Sequence, residues 1–439
     1  MGLFLNSVAP YENYKAMASA RYFVDKTKLL EELICGFGEE TQYICITRPR
    51  RFGKTIMANM IGAFFGKAVD SSHVFEHLDI AKSNLYSAHL NKHNVIYIDF
   101  SELPEKCKSY EQYITRISDG IKADLSDIYP DMKIDQDRSL WDILSQIFET
   151  KNKSKFIFVM DEWDAIFYMP FITDDDKKSY LLFLKLLLKS KAYVELAYMT
   201  GILPIAKYSE GSELNMFLEY SMATRIRFSE YFGFNDTEVD QLYEQYMTHT
   251  LNPRITRASL REWYDGYHTA AGVRLYNPRS IVCALKDNQV TNYWTSSGAY
   301  DSIFGYIKDN IADVQDDLAL MFAGEAVPAA VQEYAATSMR LKTKDEIYSA
   351  MVVYGLLTYE DGFVSIPNQE LMDSFAAMMK LKIDHTPEAA IAQIKEKQYA
   401  LRFKGRLGES PKYKGRILAV GMSYGRETKK HCCKVEVLE

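Results

Sequence analysis

The sequence predicts an α/β protein whose mostly parallel sheet is covered by helices on both faces, followed by a helical region and a small α/β tail. Three observations predict it. Near-continuous apolar runs recur through the first 230 residues, as strands buried on two faces require. Helix-like segments alternate with them, the pattern of βαβ units. The first of these runs ends on a basic loop containing Gly53-Lys54-Thr55, which opens directly into a helix-like stretch, "CITRPRRFGKTIMANMIGAFFG" (45–66).

The strand-like runs are "YICIT" (43–47), "NVIYIDF" (94–100), "KFIFVMD" (155–161), "YVELAYMT" (193–200) and "TRIRFS" (224–229), with "IMANMIGAFFG" and "SYLLFLKLLLKS" among the intervening helices. From about 235 to 345 the pattern turns to helices and aromatic turns, such as "NDTEVDQLYEQYM" and "REWYDGYHTA". "KDEIYSAMVVYGLLTYEDGFVSIPN" then reads as a helix and two strands around Glu360-Asp361-Gly362, because Asp-Gly between apolar runs signals a hairpin. Helix plus hairpin is the outline of a winged helix. The tail reads as two helices and two strands, "GRILAVGMSY" and "KHCCKVEVLE". The expected division is 1–235, 236–370 and 371–439.

Composition narrows the function classes. A chain of 439 residues has room for about two to four domains. No run of about 18 apolar residues marks a membrane span, and no long apolar segment near the start marks a signal peptide. The six cysteines are scattered without a C-x-x-C pair, which argues against a zinc site or a disulfide framework and suits a reducing cytoplasm. The net charge of −7 gives no electrostatic support for a large nucleic-acid footprint. Local basic clusters remain as anion contacts: Arg48, Arg50 and Arg51, and the stretch from Lys395 to Arg406.

A phosphate loop of the form G-x-x-x-x-G-K-[ST] has glycine where this chain has Arg48, followed by Pro49. The context nevertheless favours a nucleotide site. A triplet between strand and helix places backbone N–H groups and the positive end of the helix dipole around an anion. Lys54 then reaches the β- and γ-phosphates of ATP and Thr55 places its hydroxyl on Mg²⁺. Arg50, Arg51, Phe52, Gly53 and Ile56 complete the expected nucleotide-binding loop. Three arginines at 48, 50 and 51 either add phosphate charge or form a structural shelf.

A second element lies at "FIFVMDEWD" (156–164), an apolar strand ending in acids. Asp161 is the expected holder of a magnesium-bound water, and Glu162 the base that orients or deprotonates attacking water. Thr200, ending "YVELAYMTG", either senses the γ-phosphate or simply ends a strand.

"YFVDKTKLLEELI", "ITRPRRFGKT", "VMDEWDAIF", "YMTGILPIAK", "FSEYFGFNDTEV", "WYDGYH", "YNPRSIV" and "YWTSSG" resemble bacterial AAA-ATPase-like proteins. In that family the Arg-Pro-Arg-Arg-Phe-Gly-Lys-Thr/Ser loop is the usual Walker A form, so Arg48 fits it. The resemblance, over roughly residues 10 to 370, implies an additional-strand P-loop NTPase fold with the sensor strand between the Walker A and Walker B strands. It also implies a helical and winged-helix-like region, and a terminal domain resembling the PD-(D/E)xK nucleases.

The tail departs from that pattern. In "MKLKIDHTPEAAIAQIKEKQYALRF" (379–403), Lys382 aligns with the motif's lysine, and Gln393 and Tyr399 match its helix residues. The acidic position is Lys380, and the preceding strands with their Asp are missing; Asp384 is the only neighbouring acid. An ammonium in place of a carboxylate repels Mg²⁺, so the remnant is expected to be a dead nuclease.

The sequence therefore implies a nucleotide-dependent switch that binds and hydrolyses ATP with Mg²⁺. The alternative is a binding module for nucleic acid or a protein partner, using the winged-helix-like piece or the basic helix 391–406, with ATP only a structural ligand. An ATP-regulated nuclease or a small-molecule kinase ranks lower, since Glu162 beside Asp161 suits activation of water. No membrane partner is expected.

Overall fold

The computed structural model describes residues 2–205, 213–294, 314–322, 324–331, 343–380, 417–425 and 430–438. It divides into two compact units, residues 1–369 and 370–439.

Five parallel strands form the sheet of the first unit: β1 (Tyr43–Thr47), β2 (Asn94–Asp99), β3 (Phe156–Asp161), β4 (Val194–Gly201) and β5 (Leu218–Tyr220), in the order β2-β3-β4-β1-β5. Every residue of β1 and β3 is buried, which is why both read as unbroken apolar runs. Strand β4 lies between β1 and β3, so this is the P-loop NTPase α/β fold with its additional strand. The helix Lys54–Phe65 packs Met60, Ile61 and Phe64 onto Ile44, Ile46, Val159 and Tyr198. The amphipathic helix Tyr110–Ile128 turns Tyr113, Ile117 and Ile121 inward, and the helix Asp174–Leu188 starts at a Thr173–Asp176 capping box.

The fifth strand corrects the sequence reading. Residues 224–229 do not form a strand; that place belongs to Leu218–Tyr220. Phe228 has φ +64°, a left-handed conformation that interrupts any strand. Ile226 is 66% exposed, while Arg227 pairs with Glu32 at 3.2 Å.

A second core gathers Val239, Leu242, Leu260, Tyr264 and Ile281 from the helices Asp236–His249, Arg257–Tyr264 and Pro278–Asp287, together with Tyr22 and Tyr276 from outside them. Asn235, Thr256 and Asn277 cap these helices with their side chains. Tyr264 and Tyr267 of "WYDGYH" are buried, as packing residues should be. The helix Lys344–Val353 leads into the hairpin Thr358–Glu360 and Phe363–Ser365, turned at Asp361 and Gly362, both with positive φ; Val327–Pro328 adds a third strand.

The second unit contains most of the helix Gln369–Lys380 and an antiparallel pair, Ile417–Gly425 with Lys430–Leu438. Lys380 ends that helix. Lys382, Asp384, Gln393, Tyr399 and the basic stretch 391–406 lie outside the described residues. None of the described helices is long and apolar enough to cross a membrane.

Candidate functional site

The loop between β1 and the helix Lys54–Phe65 wraps a cavity of about 990 Å³. Gly53 turns the chain with φ +90° and caps the helix, and Arg51 before it also has positive φ, +71°. The helix thus begins at Lys54, and its first turn lines the cavity. Arg50, Arg51, Phe52, Gly53, Lys54, Thr55 and Ile56 all line the space, so the expected loop is assembled as one wall.

The loop residues divide by role. Lys54 Nζ donates to the carbonyls of Arg48 (3.2 Å) and Pro49 (3.3 Å) and stands 3.8 Å from Glu162. Arg51 Nη1 donates to the Tyr293 carbonyl, tying the loop to the region of the second core. Phe52 is buried and meets Tyr267 edge-on at 4.9 Å. Arg50 has no hydrogen-bond or ion-pair partner among the described residues. Arg48 points away from the cavity. It is 1% exposed, donates to the Thr47 and Tyr220 carbonyls at 2.8 Å and to Phe228 at 3.4 Å, and stacks over Phe232. Of the two readings open for the arginines, Arg48 is therefore the structural shelf.

Strand β3 ends at Asp161, and Glu162, the residue after it, lines the cavity beside Lys54. Asp161 is fully buried, its Oδ1 accepts the Glu162 N–H at 3.1 Å, and its Oδ2 has no hydrogen-bond partner among the described residues. Burial, with help from Glu162, pushes its carboxyl up to about 7 against the pull of the nearby Thr55 hydroxyl. Glu162 itself sits at φ +50°, a strained conformation of the kind that gathers at working sites. A buried, orphaned carboxylate oxygen beside a hydroxyl fits a hydrated Mg²⁺ ion, with Asp161 and Thr55 as the holders. Among the described residues no cluster of three or more His, Cys, Asp or Glu residues makes an all-protein metal cage, and Mg²⁺ on a nucleotide does not need one.

Thr200 is brought to the same strand ends but not to the cavity wall. Its carbonyl accepts the Trp163 N–H at 3.0 Å, while its hydroxyl is buried without a partner among the described residues.

Several residues at the site had no role in the sequence reading. Asp164, 1% exposed, accepts the backbone N–H groups of Ile202 (3.2 Å) and Leu203 (3.0 Å), lashing the β3 loop to the end of β4. Burial and then Glu162 push it up to about 6. A Cβ on Gly201 would come 2.4 Å from its Oδ1, so only glycine permits that approach. Asp99, in register with Asp161, lines the cavity with Ser101. Arg279 and Lys286 reach it from the helix Pro278–Asp287, and neither side chain has a hydrogen-bond or ion-pair partner among the described residues. "YNPRSIV" contained the available signal: Asn277-Pro278 fixed the helix start next to Arg279.

Residues 11–209 match the family model described as predicted AAA-ATPase. A curated protein of Azotobacter chroococcum, an uncharacterized protein of the vnfD 5′ region, is 22% identical over 281 residues, 63% of this chain. The match spans about half of that relative, 51% of its length. Among solved structures, the Walker-type ATPase PABY2304 of Pyrococcus abyssi matches at 13% identity and TM-score 0.41, covering 80% of this chain and 94% of that one. The ORC2 protein of Aeropyrum pernix, in ADPNP and ADP complexes, matches at 13% identity and TM-score 0.37, covering 84% and 94%.

Proposed function

We propose that the protein binds ATP with Mg²⁺ and hydrolyses it slowly, as a nucleotide-dependent switch. One observation carries this reading. A single cavity collects the Gly53–Ile56 helix start, three cations without ion-pair partners among the described residues (Arg50, Arg279 and Lys286), and the acids Asp99 and Glu162. That is a site for a polyanion next to a base.

In this reading the Gly53-Lys54-Thr55 N–H groups cradle the phosphates, and Lys54 leaves the Arg48 and Pro49 carbonyls to reach them. Arg279 and Lys286 close on the same charge from the helical side. Thr55 and Asp161 would hold Mg²⁺, which would supply neutralisation of phosphate charge. Glu162, freed from Lys54, accepts the proton of the attacking water, and Thr200, buried behind the wall, takes no direct part. Asp164 fixes the loop that presents Glu162.

The tail is proposed to lack nuclease activity, because Lys380 stands where the resembled motif needs an acid. Steady-state phosphate release, wild type beside Glu162→Gln, tests the main reading. A fall of about 10²-fold or more in the variant supports a catalytic base, whereas equal turnover in both overturns it. Salt-dependent duplex binding without ATP turnover would favour the binding-module alternative.

A further inference from the structure

Two walls of the cavity touch one short segment outside it. The helix Lys344–Val353 ends at Tyr354, which is 9% exposed, and Gly355 follows with φ +75°. A Cβ on Gly355 would come 2.6 Å from Pro49 Cβ, so this turn rests directly on the phosphate loop. Val352 and Val353 line a small gap with Thr47, Arg48 and Pro49. The Gly355 carbonyl accepts the Tyr267 hydroxyl at 3.0 Å, and the Tyr267 ring meets Phe52 of the same loop.

The second touch comes from the acid side. Tyr168 lines the cavity and ends the short helix Ala165–Tyr168 that follows Glu162. Its hydroxyl lies 3.0 Å from that of Tyr354. Arg50 is close enough for its charge to act on Tyr354.

These contacts must feel the phosphates. In the ATP-site reading Lys54 turns from Glu162 and from the Arg48 and Pro49 carbonyls toward the phosphates. Its departure unloads both the Glu162–Tyr168 loop and Pro49, and a triphosphate draws Arg50 away from Tyr354. A ligand shifts an equilibrium only through such differential contacts.

Building on the ATP-site reading, we propose that the Tyr168–Tyr354 hydrogen bond is a latch. It holds the 353–365 segment on the phosphate loop when nucleotide is absent and opens when a triphosphate occupies the cavity. The hairpin is thereby the element that reports nucleotide state, a two-state device of the kind that converts small shifts at a site into larger ones.

Hydrogen exchange on the full chain tests it, with peptides over 343–365 compared against 236–264, and binding of a fluorescent ATP analogue measured in parallel. Non-hydrolysable Mg-ATP is expected to speed exchange in 353–365 and leave 236–264 unchanged. Tyr354→Phe and Tyr168→Phe should each raise the nucleotide-free exchange there about fivefold, the opening one net hydrogen bond withholds, and abolish the nucleotide effect. A packing role for Tyr354 alone would leave Tyr168→Phe silent and so overturn the latch. Binding of the analogue with no change in 353–365 also overturns the latch but leaves the ATP site standing. No binding by the wild type removes the ATP site and the latch together.

Discussion

Lys54 Nζ stands 3.8 Å from the Glu162 carboxylate while donating to two carbonyls of its own loop. The lysine proposed for phosphate and the acid proposed as base thus pair with each other in this structure. Lys54 is buried, with 3% side-chain exposure, and Glu162, 28% exposed, supplies part of the compensation for its charge. Under the proposed function, nucleotide draws them apart.

That pairing predicts a division between two variants. Lys54→Ala should weaken ATP binding by about tenfold or more, the loss of one charge-assisted contact, and abolish turnover. Glu162→Gln should retain ATP binding, or tighten it by releasing Lys54, while turnover falls by about 10² to 10⁴. Titration with a fluorescent ATP analogue and phosphate release, run on both variants, check the pair. Full turnover in Lys54→Ala would sink the assignment.

A second prediction concerns pH. Asp161 and Asp164 are raised to about 7 and about 6 in the folded chain, first by burial and then by Glu162. Between the ordinary carboxylate range and these values the folded state holds protons that the unfolded state has released. Their stabilising contribution is full below about pH 4 and is lost as pH rises toward 6 to 7. Thermal unfolding without nucleotide or metal, followed from pH 4.5 to 8, should show these two groups pulling stability down with rising pH. Asp164→Asn should flatten its part of that slope, on the order of 1–3 kcal/mol. A slope identical to wild type would contradict the burial argument.

Arg279 supplies a third. Its side chain has no partner to lose among the described residues, yet it lines the cavity opposite the phosphate loop. Arg279→Ala should leave unfolding without nucleotide unchanged while weakening ATP binding by roughly tenfold, with ADP less affected. Equal affinities for wild type and variant would take the helix Pro278–Asp287 out of the site.

What the sequence revealed follows from where each signal resides. Strands β1 to β4 were legible because two covered faces force long, nearly continuous apolar runs. The loop and its acids were legible because strand, triplet and terminal carboxylates are each local. The fifth strand was not. Its three residues Leu218–Tyr220 carry no pattern, while Ile226 and Phe228 alternate with arginines and imitate a half-buried strand. Only the fold supplies the Glu32 partner and the left-handed turn that make 224–229 a loop. Arg279 and Lys286 were illegible for a similar reason: capping fixed where their helix begins, but not which cavity it faces. Asp164 was hidden beside its better-known neighbours, since its partners are backbone groups of another strand.

The last prediction returns to Arg48. Replacing it with glycine would restore the common G-x-x-x-x-G-K-T spelling, and by spelling alone would improve the loop. The structure argues the reverse. The guanidinium is 1% exposed, holds the carbonyls of Thr47, Tyr220 and Phe228, and stacks over Phe232. It therefore pins β5 and the 228–232 turn to the end of β1. Glycine would leave those carbonyls without that donor and open a void against Phe232, at a cost of about 3–5 kcal/mol. Lysine has one point charge where the fork makes contacts in several directions, so Arg48→Lys should recover only part of the loss. Thermal unfolding of the three proteins should rank wild type first, lysine second and glycine last. ATP affinity should follow the same order, because Lys54 and Gly53 hang from the strand end that Arg48 fixes. A glycine variant as stable as wild type would mean the shelf is dispensable.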